Sequence, residues 1–213
     1  MRRFYVLLVI LSLATISLSR WPTSAQDKRR QSVAPLLVCT VNPIVLNNAN
    51  SGLGSLRQAV IEACPVSTIT FSGVTSPISL STGQITIDKN LTIQGPGANL
   101  LTVQNTQAAS TTSRVFFVNN GVTATISGLT ISGGNTAIGG GGILNLGTLT
   151  VTNSTISGNT ANSGGGIYNQ GTLTVTNSTI SGNTANLSGG GIKNQGTLTV
   201  TNSTISGNTA NSG

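Results

Sequence analysis

The sequence predicts an all-β fold, a parallel β-helix closed at its start by a short capping helix. Three observations carry this. Sixteen residues, Gly147 to Asn162, recur unchanged at Gly171 to Asn186 and again at Gly196 to Asn211, with Leu187 as an extra residue, so the unit repeats every 24 or 25 residues. A period of that size means a solenoid. Inside each copy apolar and polar residues alternate, which is the period of a strand with one buried side. The composition agrees: 37% hydrophobic and only 6% charged residues, with 27 Gly and no His in 213 residues, are unlike an average globular domain.

Taken in order, the chain opens with basic Met1-Arg2-Arg3, an apolar run from Phe4 to Leu18, and small residues Thr23-Ser24-Ala25 before Gln26. These are the three parts of a secretory signal, expected to span 1–25 with cleavage between Ala25 and Gln26. The run is short for a membrane span, and an uncleaved anchor is the alternative; either exports the remainder. Residues 26–35 form a basic linker containing Lys28, Arg29 and Arg30. A cap segment is expected over 36–66. It contains the only two cysteines, Cys39 and Cys64, which export makes candidates for a disulfide, with two buried free thiols as the alternative. Ser55-Leu56-Arg57-Gln58 reads as a capping box, and Leu56, Ala59, Val60 and Ala63 recur at helical spacing, predicting a helix from Ser55 to Cys64 over the first rung.

The β-helix itself is expected over 67–213. Short alternating strands are read at Ile69 to Phe71, Ile78 to Leu80, Ile85 to Ile87, Leu91 to Ile93 and Leu101 to Val103. A degenerate copy of the repeat follows, at Thr123 to Ile126 and Leu129 to Gly133, with a glycine corner at Gly139 to Gly142. In the regular copies Leu149 and Val151 point inward, as do Ile156 and Ile167 after short turns, while Thr148, Thr150 and Thr152 point outward. Turns are placed at Asn153-Ser154, Gly158-Asn159 and Asn162 to Gly166, leaving three strands per rung. Leucine-rich repeats have a similar period but need more Leu and a helical segment. Like residues should stack: Ile156 over Ile180 over Ile205, and Asn153 over Asn177 over Asn202 as an asparagine ladder. The chain stops within a unit, so a solenoid truncated at its C-terminal end is expected.

Several functions are disfavoured by what is missing. Without His there is no Ser/His/Asp or Cys/His pair and no histidine metal ligand. The net charge of +7 lies mostly in residues 1–30; beyond them Arg57, Lys89, Arg114 and Lys193 face Glu62 and Asp88, leaving +2. Scattered cations and few aromatics do not make a nucleic-acid surface. Asp88 is the last acidic residue, so neither a carboxylate acid/base pair nor a calcium cage can be assembled from the repeats. Asp88 beside Lys89 reads as a solvated turn. Gly139 to Gly142 lacks the Lys of a phosphate loop and the Asp of a calcium-binding repeat. Asn90, Asn153, Asn177 and Asn202 each open an Asn-x-Thr pattern that a glycosyltransferase accepts, with the ladder as the preferred reading for the repeated ones.

Gly54-Ser55-Leu56-Arg57-Gln58-Ala59 resembles the Cys-Ser-Leu-Arg-Glu-Ala (CSLREA) signature near the N-termini of bacterial surface β-helix proteins, departing from it at Gly54 and Gln58. The repeats are similar to those of polymorphic outer-membrane proteins, whose hallmarks are Gly-Gly-Ala-Ile and Phe-x-x-Asn. Gly164-Gly165-Gly166-Ile167 and Gly189-Gly190-Gly191-Ile192 match the first with Gly for Ala; Ile156-x-x-Asn159, Ile180-x-x-Asn183 and Ile205-x-x-Asn208 match the second with Ile for Phe. The resemblance implies a right-handed parallel β-helix of the pectate-lyase-like class, secreted or displayed at the cell surface.

The function expected is therefore a non-enzymatic, adhesin-like scaffold with no cofactor and no metal. Its partner would be carbohydrate or a host or cell-surface protein, with no nucleic acid and no membrane span in the mature chain. The alternative is a carbohydrate-binding or polysaccharide-degrading β-helix whose active rungs lie outside residues 1–213. A third reading takes the outward rows of Thr148, Thr150 and Thr152 and their copies as a grid resembling the ice-binding face of antifreeze β-solenoids. For export, mass spectrometry of secreted protein is expected to find Gln26 at the N-terminus; intact Met1 on protein retained in the cytoplasm would contradict it.

Overall fold

The computed structural model describes residues 38–212, and the expected cleavage site at Ala25 and Gln26 lies outside them. From Cys39 onward the chain winds as a right-handed parallel β-helix, because the alternation places one apolar row inside each short strand and the corners return the chain to the same register. The first rung is the strand β1 (Ile44–Val45). The second holds β2 (Ser67–Phe71), β3 (Ile78–Leu80) and β4 (Ile85–Ile87), the third β5 (Leu91–Gln94), β6 (Thr102–Asn105) and β7 (Phe116–Val118). Four strands make the fourth rung: β8 (Thr123–Ser127), β9 (Thr130–Ser132), β10 (Asn135–Gly139) and β11 (Ile143–Asn145). The fifth repeats them as β12 (Thr148–Thr152), β13 (Thr155–Ser157), β14 (Thr160–Ser163) and β15 (Ile167–Asn169). The sixth is β16 (Thr172–Thr176), β17 (Thr179–Ser181), β18 (Thr184–Ser188) and β19 (Ile192–Asn194), and the seventh β20 (Thr197–Thr201), β21 (Thr204–Ser206) and β22 (Thr209–Ser212).

Strands stack into four parallel sheets, of seven (β1-β2-β5-β8-β12-β16-β20), six (β3 to β21), five (β4-β7-β11-β15-β19) and four strands (β10-β14-β18-β22). The last of these corrects the expected three strands per rung. The expected turn begins at Asn162, yet the backbones of Thr160 to Ser163 pair with Asn135 to Gly139 on one side and Thr184 to Ser188 on the other. Copies of unequal length fit because the register shifts there, each longer strand accommodating its extra residue, Leu187 in β18, as a bulge.

Register elsewhere is one-to-one. Ile78, Val103, Ile131, Ile156, Ile180 and Ile205 form one inward column through six rungs, and Ile69, Ile93, Ile126, Val151, Val175 and Val200 another. Most of these side chains are fully buried and belong to one continuous core. The corner before the long sheet is as tight as backbone allows: a Cβ on Gly171 would lie 2.0 Å from the carbonyl oxygen of Gly147, so only glycine fits.

Helix α1 (Leu56–Glu62) is the sole helix of the described residues. Ser55 caps it, its Oγ accepting from the Gln58 N–H at 3.2 Å. Only this half of the expected capping box forms, because the Ser55 N–H donates to Gly52 O at 3.1 Å, while the Gln58 amide donates to Glu62 Oε1, one turn on, at 2.6 Å. Leu56, Ala59 and Val60 face the core, and the helix packs against β1 and β4. Cys39 and Cys64 form a disulfide that closes the loop carrying β1 and α1. Backbone pairing runs beside it, the Thr40 N–H donating to Glu62 O at 2.7 Å and the Cys64 N–H to Thr40 O at 2.9 Å. The cap and the solenoid are thus one sheet system, since β1 already pairs with β2.

Ile180→Ala, at a fully buried position between Ile156 and Ile205, is expected to cost about 2–5 kcal/mol in chemical denaturation. Ile205→Ala should cost less than half as much, because Ile205 is 49% exposed.

Candidate functional site

A strand position where the copies agree is explained by stacking; one where they differ is not. On the long sheet the outward residues agree: Thr148, Thr150 and Thr152 lie in register with Thr172, Thr174 and Thr176, then with Thr197, Thr199 and Thr201. The six-stranded sheet presents Thr155 and Ser157 over Thr179 and Ser181 in the same way. The five-stranded sheet does not. Its outward row reads Thr86, Phe117, Leu144, Tyr168 and Lys193, five different residues on five consecutive rungs. The last four are half-buried.

The residues around this row hold it in place. The Tyr168 hydroxyl donates to Gln195 Oε1, on the next rung, at 2.7 Å, and the Gln170 amide donates to both oxygens at 3.2 Å. On the preceding rung the ring lies against Gly139, where a Cβ would sit 2.1 Å from Tyr168 Cδ1. Ser163 and Ser188 follow Gly139 in that row, so the residue beneath the ring is the one without a side chain. The ring therefore lies along the solenoid axis, reaching from one neighbouring rung to the other.

Arg114 supports the same corner. Its guanidinium is 5.8 Å from the Phe117 ring centroid, a cation–π contact, and donates to Gly139 O at 3.3 and 3.4 Å and to Gln84 Oε1. Arg57 approaches Gln84 from the cap, donating to Gln84 O at 2.6 Å and Gly83 O at 2.7 Å. Burial pushes both guanidinium groups below their ordinary pKa. Neither contacts a carboxylate; among the described residues the one ion pair joins Lys89 and Asp88 at 3.5 Å, far back in the second rung.

The expected asparagine ladder is corrected. Asn153, Asn177 and Asn202 are exposed corner residues with φ of 50°, 48° and 48°. The left-handed backbone turns their side chains outward, and the following serines take the inside: Ser178 Oγ accepts from the Ser154 N–H and Ser203 Oγ from the Ser178 N–H, both at 3.1 Å. The ladders are formed by two other rows. Asn145 Nδ2 donates to Asn169 Oδ1 and Asn169 Nδ2 to Asn194 Oδ1, each at 2.7 Å. Asn159 Nδ2 donates to Asn183 Oδ1 and Asn183 Nδ2 to Asn208 Oδ1, each at 2.9 Å. Both signals were present in the sequence: Asn145 follows inward Ile143 by two, and Asn159 closes the Ile-x-x-Asn motif. Ile156, Ile180 and Ile205 stack in the predicted column.

Comparison of the chain with protein-family models, with curated proteins and with solved structures finds no match. The class is accordingly set by the fold: a right-handed parallel β-helix with a polar ladder on two inner corners and one irregular outward row.

Asn183→Ala is expected to cost about 3 kcal/mol or more, because the Asn159 N–H and the Ile156 carbonyl would lose their partner inside the helix. Asn177→Gly should stay within about 0.5 kcal/mol, glycine accepting the same positive φ. Equilibrium unfolding of the two variants checks both.

Proposed function

We propose that this chain is a non-enzymatic scaffold, exported and displayed at the cell surface in the manner of CSLREA-type and polymorphic outer-membrane proteins, which it resembles in the motifs of its cap and repeats. The observation that carries the reading is the division of labour within the repeats. Residues that stack are copied without change, the outward residue of the five-stranded sheet changes from Leu144 to Tyr168 to Lys193, and the repeats supply no acidic residue with which to build a catalytic pair. The disulfide between Cys39 and Cys64 suits an oxidising compartment. The partner is carbohydrate or a surface protein, met by the irregular row, with no cofactor involved.

Protease shaving of intact cells tests the location. Peptides from the repeats are expected in the released fraction, and their retention until lysis would overturn the reading. Catalysis is tested by release of reducing or unsaturated ends from pectin and alginate, with and without calcium; none is expected. Turnover abolished by Asp88→Ala would overturn the non-enzymatic reading.

The in-register threonine rows favour one second reading, an ice-binding face. Hydroxyl and methyl groups repeat about every 4.8 Å between rungs and about 7 Å along each strand, an ordered, uncharged grid. Inhibition of ice recrystallisation, lost in Thr174→Tyr at the centre of the grid, would support it; unaltered ice growth at high protein concentration would leave these rows as solvated strand surface.

A further inference from the structure

We propose that the outward row Phe117, Leu144 and Tyr168 of the five-stranded sheet is a binding strip for an extended polysaccharide chain lying along the solenoid axis. The inference rests on the scaffold reading and names the ligand class of its irregular row.

Four features carry it. Phe117 and Tyr168 are two rungs apart in one register column, with Leu144 between them. Two rungs are about 10 Å, a step that spans two sugar rings of an extended chain. Aromatic faces bind the apolar faces of sugar rings, and amide side chains beside them bind the hydroxyls. Gln170 and Gln195 flank Tyr168, and Gln84 lies behind Phe117 through Arg114. The second feature is orientation. Tyr168 lies along the axis rather than projecting, held at the hydroxyl by Gln195 on one rung and seated on Gly139 of the other.

The third feature is the glycine itself. A tyrosine chosen only to suit an exposed strand needs no gap beneath it, yet the row Gly139, Ser163, Ser188 loses its side chain at the position where the ring lies. Two residues far apart in the sequence are thus matched to place one ring. The fourth is scale and charge. The strip is one side chain wide and three rungs long, much smaller than the roughly 800 Å² per partner of a standard protein interface, and it fits a single chain. Lys193 continues the row at one end, with no acidic residue after Asp88 to oppose it, so the strip accepts sugars with or without carboxylates.

Isothermal calorimetry of the mature protein with cellohexaose and with hexagalacturonate tests this. At least one hexasaccharide is expected to bind. Its affinity should fall at least tenfold in Tyr168→Lys, which installs the residue that the next rung carries at the same position and so preserves the fold. Gly139→Ser, the residue of the two following rungs, should lower affinity similarly by displacing the ring, and Thr174→Ala on the long sheet should leave it unchanged. Binding of hexagalacturonate alone, weakened by Lys193→Ala, would assign the strip to acidic chains; cellohexaose binding indifferent to Lys193→Ala would assign it to neutral ones. No binding of either at millimolar concentration, or binding untouched by Tyr168→Lys, overturns the inference. A protein ligand would be among the causes of the first result. Surface exposure in the shaving experiment is independent of these outcomes, so the strip can fail while the scaffold reading stands.

Discussion

Each strand of this solenoid is satisfied only by the copy of itself on the next rung. A strand of three to five residues with one or two inward aliphatics cannot order its own backbone, but parallel pairing above and below completes its hydrogen bonds while like side chains fall onto like. Register is therefore the governing constraint. A slip of one residue would move Ile156 and Ile180 outward and bring Thr and Ser into the core, so the near-identity of the repeats is a condition of stacking rather than a redundancy.

Polar groups obey the same rule. The column that begins as Ile87 and Val118 continues as Asn145, Asn169 and Asn194, where aliphatic packing gives way to a chain of amide hydrogen bonds. Each asparagine also donates to backbone carbonyls at the corner, as Asn169 does to Gly171 O at 3.1 Å and Thr197 O at 3.0 Å. Buried amides are tolerable because every rung supplies the partner that the previous one needs; a half-completed ladder would be worse than an apolar one. The inner asparagines fix the corners as firmly as the isoleucines fix the strands.

Against that uniformity the five-stranded sheet stands out. Stacking asks for Ile and Asn on its inner side and makes no demand on the residue between them, which leaves the outward position of the Gly-Gly-Ile-x-Asn unit free to change. Leu144, Tyr168 and Lys193 use that freedom, and Gly139 shows that at least one of the changes was matched by another across the corner. Rigidity and variability are supplied by the same strand, one on each side.

Composition and spacing alone determined the solenoid, its period, the strands from Ile69 to Val103, the isoleucine column and the helix at Ser55, because these depend on alternation or helical spacing within a few residues. The four-stranded sheet β10-β14-β18-β22 was legible only in the structure: Thr160 to Ser163 form a strand because unequal copies pair beside them through a bulge, which no local pattern encodes. The ladder was misplaced by one corner for a related reason. Alternation predicts inside and outside only while the backbone stays extended, and the left-handed turn at Asn153 resets the phase, sending the asparagine out and Ser154 in. The juxtaposition of Tyr168 with Gly139, and of Arg114 with Phe117 and Gln84, depends on how corners of successive rungs overlay. Such contacts belong to tertiary structure because they join residues that the chain separates by a full rung.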